Sequence, residues 1–370
     1  MIKKKTVISQ IDIIPADIDL KNPFITSLGK KTSTRNVFVV LKLSGGITGY
    51  GEASSSLAIP SATQDVMMRE LIGLKQQAVG LELEDALEWT ARGIPEDTHA
   101  TSFSALEMAL YDAKARLKGV PLLRLFGTKN ETLETSLTVS ALPADISKKF
   151  ASRESKKGFR RFKIKVGINW DQDLKRVLAV HEAAPKAAII LDGNQGFSVP
   201  GVIEFVGELG RRNVPVEFLE QPLPKASSWE EWVLLRDSMK LPLALDESIS
   251  NCQDANDFIR RKLVNIINIK IAKSGIGEAL RIMRLAHSNG IKLMIGCMAE
   301  SAVGLATSVH LAAGTGTFSA VDLDSSYLLK PSKNLAGGFI SKGPFLKVPS
   351  RIKGSGTSVT LRSQRTKVTV

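Results

Sequence analysis

Several short apolar runs in this 370-residue chain end on an acid or a lysine. Phe162-Lys163-Ile164-Lys165 carries two lysines, Leu191-Asp192, Leu219-Glu220 and Leu245-Asp246 each end on a carboxylate, and Asn268-Ile269-Lys270 ends on a third lysine. Three carboxylates converging without counter-charge would repel strongly in a low-dielectric site. A hard divalent cation resolves this, and all-oxygen ligation favours Mg²⁺. Histidine offers no rival ligand set, because His99, His181, His287 and His310 are scattered and none shows HxxxH spacing. Lysines beside such an ion are expected to have depressed pKa values and to serve as bases near neutrality. A metal that binds a carboxylate, with a base on each face of the α-carbon, can remove a proton from one side and return it from the other. That sequence inverts the stereocentre through an enediolate stabilised by the metal. Val321-Asp322-Leu323-Asp324 adds a like-charged pair that calls for a cationic partner such as a free ammonium. Each residue alone has a blander reading: a carboxylate closing a strand caps a helix, and a lysine there snorkels to solvent. For the last pair that alternative is Asp322 as a helix cap and Asp324 solvated.

Joint action requires elements that bring these residues together. The runs end at Thr138, Lys165, Asp192, Glu220, Asp246, Lys270, Cys297 and Asp322, spaced by 24 to 28 residues with a helical segment after each. That even spacing predicts a (β/α)8-type barrel over residues 126–330, whose strand ends share one site. Strands two and six of such a barrel face each other across its axis, which sets Lys163 and Lys165 opposite Lys270. Residues 1–125 read as an α+β unit: alternation over Asn36–Leu43, a turn at Gly45-Gly46, and a helix over Ser102–Lys118 stopped by Gly119-Val120-Pro121. Residues 331–370 are expected to pack back on that first unit.

The composition, 43% hydrophobic and 24% charged, is that of a globular chain rather than a disordered one. The net charge of +13 raises nucleic-acid binding as a rival from another class. However, nine Lys and Arg with no acid lie between Ser325 and Val370, which leaves +4 elsewhere. No RNP-like aromatic cluster or zinc-finger spacing accompanies the charge, so a solvated basic surface is preferred and no nucleic-acid partner is expected. No apolar run is long enough to cross a bilayer, and Gln10 and Asp12 interrupt any signal-like core, so no membrane partner is expected either. Two cysteines, Cys252 and Cys297, suit a reducing, cytoplasmic setting, and Cys297 is read as a pocket wall rather than a nucleophile. Gly29-Lys30-Lys31-Thr32 lacks the upstream glycine of a phosphate loop, and Gly354–Ser358 reads as a flexible linker.

The motifs Phe162-Lys163-Ile164-Lys165-Val166-Gly167, Leu191-Asp192-Gly193-Asn194-Gln195-Gly196, Leu219-Glu220-Gln221-Pro222, Asp246-Glu247-Ser248 and Asn268-Ile269-Lys270 resemble the enolase superfamily, muconate-lactonizing-enzyme subgroup. The resemblance implies an α+β capping domain on a (β/α)7β TIM-like barrel, with one Mg²⁺ per subunit held by Asp192, Glu220 and Asp246. It implies Lys165 and Lys270 as the acid/base pair, Lys163 on the substrate carboxylate, and Asn194 and Glu247 as groups orienting the ligands. Within the subgroup, Asp322, Asp324 and Thr138 resemble the signature of dipeptide epimerases. The expected function is then inversion of the C-terminal α-carbon of an L,L-dipeptide, in a cytoplasmic homo-oligomer. A muconate cycloisomerase, o-succinylbenzoate synthase or N-acylamino acid racemase is the alternative within the subgroup. The loop Pro23–Leu28 matches one that supplies an arginine to a C-terminal glutamate in some relatives, and here Gly29 stands at that place. With Cys297, Met298, Ala299 and Ile25 expected nearby, this points to neutral or apolar C-terminal residues. The chain departs from the family in its tail, which has Gly343-Pro344-Phe345-Leu346-Lys347 and a basic extension.

Overall fold

Two bodies of secondary structure pack together in the computed structural model, which describes residues 6–360. The basic N-terminal start and the last part of the basic tail lie outside the described residues. The first body opens with an antiparallel sheet of β1 (Ile8–Thr26), β2 (Gly29–Leu43) and β3 (Thr48–Ala53), in that order. Helices α1 (Gln64–Ala78), α2 (Leu83–Ala91) and α3 (Ala100–Leu117) follow. Alternation along β2 explains why the sheet is covered on both faces. Val37, Val39, Leu41 and Leu43 pack with the three helices, while Phe38 and Val40 turn the other way onto Ile14, Ile18, Val303 and Leu329. Alternation in the sequence reveals only the second half of β2. The first half, Gly29–Arg35, is polar, and its pairing with β1 holds it extended.

The second body follows β4 (Leu133–Glu134). It runs β5 (Leu137–Val139), α4 (Ala144–Ser155), β6 (Arg161–Lys165), α5 (Trp170–Ala183), β7 (Ala188–Asp192), α6 (Val199–Arg211), β8 (Val216–Glu220) and α7 (Trp229–Ser238). It continues β9 (Leu243–Leu245), α8 (Cys252–Arg260), β10 (Ile266–Ile269), α9 (Ile271–Ser288), β11 (Lys292–Gly296), α10 (Ala302–Thr315) and β12 (Ala320–Asp322). Strands β5 to β12 form one parallel sheet in sequence order, and the Ser136 N–H donates to the Val321 carbonyl at 2.8 Å, bringing the last strand back to the first. The final helix, α11 (Ser325–Leu328), is a single turn. Among the described residues the barrel is therefore (β/α)7β. Local chemistry starts several of the barrel helices where the strand pattern demands them. Asn169, Ser198 and Asn251 accept N–H groups at the starts of α5, α6 and α8, and Ser228 with Glu231 forms a capping box at α7.

Beyond the barrel, β13 (Leu335–Ala336) pairs with β16 (Ser358–Val359), and β14 (Ile340–Lys342) and β15 (Phe345–Lys347) extend β4. This segment also touches α3: the Ser355 N–H donates to Asp112 at 2.5 Å and Arg116 donates to the Thr357 carbonyl at 2.7 Å. Gly354–Ser358 is thus no flexible linker. Its backbone is held by side chains of α3, so its Gly/Ser composition reflects tight packing against that helix. Among the described residues no helix is long and apolar enough to cross a membrane.

Candidate active site

The strand ends form a layer set by two-residue alternation. Ile190, Phe218, Ala244, Ile266, Met294 and Ala320 point into the barrel and pack on one another. Two residues further along, the same face presents Asp192, Glu220, Asp246, Asn268, Gly296 and Asp322. These polar groups therefore sit in one ring above an apolar floor. Lys163 pairs in register with Ile190 and Lys165 with Asp192, so both lysines rise from β6 into that ring. The glycine in the ring has a steric reason, because a Cβ at Gly296 would lie 2.8 Å from both the Lys270 stem and Asn268.

Each lysine meets carboxylates. Lys165 Nζ lies 2.6 Å from Asp192 and Lys270 Nζ 2.5 Å from Asp246. Lys163 Nζ lies 3.3 Å from Asp192 and 3.4 Å from Glu220, and it also pairs with Asp322. Burial is nearly complete, with Lys163, Lys165 and Lys270 exposed by 2%, 5% and 7%, which rules out snorkelling. Lys163 and Lys270 are raised rather than depressed where the carboxylates face them directly. Burial alone would lower Lys163 and Lys270, but Asp322, Glu220 and Asp192 hold the first well above the ordinary lysine value, and Asp246 does the same for the second. The expectation assumed that a cation takes up the carboxylate charge. Here that charge faces the ammoniums directly. Asp246 is held low by Lys270 and Lys273 despite its burial, whereas burial and Asp192 push Glu220 up to about 7. Glu247, donated to by Asn194 Nδ2 at 3.1 Å, is raised to about 7 by burial and then by Asp246.

Asp322 and Asp324 do not follow the cap-and-solvated alternative. Asp322 caps no helix and accepts from the Ser136 hydroxyl at 2.6 Å. Through its contact with Lys163 it joins the carboxylate ring. Asp324 is buried rather than solvated and accepts the Thr138 N–H at 2.6 Å. Burial and the neighbouring Asp322 push it up to about 6. Cys297 lies 3.4 Å from the Asp322 carbonyl, and burial holds its thiol well above the ordinary range, in keeping with a wall role.

A cavity opens over this ring. The barrel contributes Thr138, Lys163, Lys165, Asn194, Asp246, Glu247, Lys270, Cys297, Met298, Ala299, Asp322 and Asp324. The first body covers it with Leu20, Phe24, Thr26, Leu28 and Lys31 from its hairpin and with Ser55–Ala58 after β3. Phe24 stacks over Lys165 Nζ at 5.5 Å. Ile25 and Gly29 are not part of this wall. Ile25 lies between Phe24 and Thr26, which both line the cavity, so strand alternation turns it to the other face, and Leu57 stands in contact distance, 3.6 Å, of where a Gly29 Cβ would be.

Sequence reading passed over several polar groups here. Lys273, one turn after Lys270, bonds Asp246 at 2.9 Å, and Asn268 donates to Glu220 at 2.7 Å. The Asn268-Ile269-Lys270 motif contained the asparagine, but only the two-residue alternation shows that it faces inward. Gln221 accepts the N–H groups of Asp246 and Ser248, both at 3.1 Å, fixing the turn after β9. Glu300 carries an oxygen without a hydrogen-bond partner, and burial followed by repulsion from Glu52 raises its pKa from 4.5 to about 7. A raised carboxylate stabilises the fold below its unfolded value, and that stability is lost as pH rises through the folded value. Stability is therefore expected to fall between pH 4.5 and about 7, by at most about 1.4 kcal/mol per pH unit from this group. Glu300→Gln should flatten that slope in urea titrations across the range, and an unchanged slope would contradict the assignment.

Comparison with known proteins matches this architecture. Residues 146–365 match the enolase C-terminal domain-like family, and residues 9–127 match the mandelate racemase/muconate lactonizing enzyme N-terminal domain. The chain is 36% identical over 338 residues to the hydrophobic dipeptide epimerase of Citrifermentans bemidjiense, covering 88% of this chain and 89% of that one. It is 32% identical over 335 residues to the L-Ala-D/L-Glu epimerase of Thermotoga maritima, covering 89% and 95%. Among solved structures, the dipeptide epimerase of Enterococcus faecalis V583 complexed with Mg and L-Leu-L-Tyr superposes with a TM-score of 0.88 at 28% identity, covering 95% and 99%. A capping domain over a (β/α)7β barrel, matched along both domains, makes this chain a member of the enolase superfamily and an isomerase.

Proposed function

We propose that the protein is a Mg²⁺-dependent dipeptide epimerase that inverts the α-carbon of the C-terminal residue by two-base proton transfer. The observation that carries this reading is the pair of buried lysines, Lys165 and Lys270, on strands four apart in an eight-strand barrel. Such a pair can serve both faces of one α-carbon held between them. The relatives named above, epimerases of dipeptides, support the substrate class.

The charge balance supports a divalent ion. Four buried lysines (Lys163, Lys165, Lys270, Lys273) face six buried carboxylates (Asp192, Glu220, Asp246, Glu247, Asp322, Asp324). Full ionisation leaves an excess of two negative charges, and Glu220, Glu247 and Asp324 are pushed up by burial first and by neighbouring carboxylates second. Glu220 Oε2, Glu247 Oε2 and Asn194 Oδ1 are buried without hydrogen-bond partners, so oxygen ligands are to hand. Among the described residues the acids do not form a preassembled ligand cluster, because the lysine ammoniums lie among them. Asp192, Glu220 and Asp246 would hold the ion, with Asn194 and Glu247 steadying it. Bound there, Mg²⁺ supplies positive charge against a substrate carboxylate as negative charge develops on it.

Around the ion's place, Lys163 is the partner for the substrate carboxylate. Asp322 and Asp324 receive the N-terminal ammonium, and Thr138 steadies Asp324 through its N–H. The wall of Leu20, Phe24, Leu28, Leu57 and Ala58 favours a neutral or apolar C-terminal side chain. Incubating the Mg²⁺-loaded protein with a dipeptide library in D₂O tests both points by mass spectrometry. Deuterium is expected at the C-terminal α-carbon, with kcat/KM for L-Ala-L-Leu or L-Ala-L-Phe about tenfold or more above L-Ala-L-Glu, because a glutamate carboxylate lacks a guanidinium partner. No uptake across the library would sink the reading. A clear preference for glutamate would overturn the specificity alone and point to Lys31, which lines the cavity and whose ammonium, among the described residues, donates only to Ser55.

A further inference from the structure

We infer that Glu107, contributed by the capping domain, is a positioning residue for Lys270, so that this one carboxylate sets the geometry of Lys270 and not that of Lys165. This rests on the two-lysine reading above. Glu107 lies on α3 and is 2% exposed. Its carboxylate accepts the N–H of Ile276 at 2.6 Å and that of Gly277 at 3.2 Å. No ammonium or guanidinium lies within ion-pair distance of it among the described residues. These two N–H groups open the long part of α9. That helix is broken at Gly275 (φ 75°, ψ 174°), which separates a first turn, Ile271–Ser274, from the rest. Left-handed backbone suits glycine, and a Cβ there would lie 2.3 Å from Glu107 Oε2. The break therefore exposes a helix start, and the absent side chain lets a carboxylate reach it. A negative group at that end satisfies otherwise unpaired N–H groups and opposes the helix dipole favourably.

From this anchor a short hydrogen-bonded path leads to the lysine. The N–H groups of Lys273 and Ser274 donate to the Lys270 carbonyl at 2.9 and 3.2 Å. Lys273 Nζ reaches back to the Asn268 carbonyl at 3.1 Å and to Asp246 at 2.9 Å, the same carboxylate that lies 2.5 Å from Lys270 Nζ. The turn carrying Lys270 is thus clamped between β10 on one side and the Glu107-capped helix on the other. Lys165 has no such dependence on Glu107, although Phe24 of the cap stacks over its ammonium. It lies inside β6, in register with Asp192, and its carbonyl accepts from Arg176 of the barrel itself at 3.0 Å.

Glu107→Gln leaves the volume unchanged but sets an amide donor against the helix N–H groups. The L,L and L,D epimers are incubated separately in D₂O with the Mg²⁺-loaded variant, and early α-deuterium uptake is followed for each. Lys270→Ala identifies the epimer whose exchange depends on Lys270, as the one that stops exchanging. Exchange of that epimer is expected to fall about tenfold or more in Glu107→Gln, the scale of a misplaced reacting group. Exchange through Lys165 should stay close to wild type, which also reports a folded enzyme. Gly275→Ala pushes the carboxylate away from the other side and must give the same asymmetry, and it decides the matter if Glu107→Gln fails to fold. Equal loss of both exchanges in a folded variant, or loss of neither, overturns the inference. A wild-type protein exchanging neither epimer would overturn the functional reading, and the inference with it.

Discussion

Lys165→Ala and Lys270→Ala are each expected to lower epimerisation by about three orders of magnitude or more, the upper range for loss of a general acid or base. The two variants should not be equivalent in isotope exchange. Inversion needs one lysine to take the α-proton and the other to return a proton to the opposite face, so either loss stops it. Exchange without inversion needs only the lysine on the face that bears the proton. Each variant should therefore keep solvent deuterium uptake into one epimer and lose it in the other, with opposite choices. The geometry makes the complementarity strict: β6 and β10 are separated by three strands, and each ammonium is tied to its own carboxylate, Asp192 or Asp246. ¹H NMR of both epimers in D₂O reads the four combinations. Normal epimerisation by both variants, or loss of the same exchange in both, would refute a two-base mechanism.

Chelation should remove activity to a similar extent, with Mg²⁺ restoring it, and a thermal readout separates ion binding from turnover. An ion that binds only the folded protein stabilises it by about 2.7 kcal/mol at a hundredfold excess over Kd. The wild-type Tm should therefore climb with Mg²⁺ concentration. Glu220→Gln is the informative variant because its two effects have opposite signs. Glu220 is fully buried, and burial and repulsion by Asp192 push its pKa up, so an ionised carboxylate there costs stability near neutral pH when no cation is added. The neutral amide relieves that cost, so Glu220→Gln should melt at or above the wild-type temperature in chelator. With one ligand lost, its Tm should no longer respond to Mg²⁺. A wild-type Tm indifferent to Mg²⁺, or an undiminished response in Glu220→Gln, would remove these carboxylates from the metal site.

The periodic part of the protein was legible in its sequence, because burial forces periodicity. Strands covered on both sides must be apolar, as in Ala188-Ile189-Ile190-Leu191, and each must end where a polar residue reaches the barrel mouth. Repetition of that demand every 24 to 28 residues exposed the barrel and, with it, the shared height of Asp192, Glu220 and Asp246. Where no periodic demand operates, only tertiary structure decided the outcome. The polar half of β2 is extended because β1 pairs with it, and Gly354–Ser358 is fixed because α3 holds its backbone. Asp322 joins the carboxylate ring because β12 returns beside β5, a long-range closure that no local spacing displays. The protonation balance of Lys163 and Lys270 likewise depends on which charges are nearest in space. Lys31, Leu57 and Phe24 line the cavity over the carboxylate ring only because the first body folds over the barrel mouth. Alternation and spacing thus determine which residues face inward and at what height, whereas the partner each one meets there is set by contacts between segments far apart in the chain.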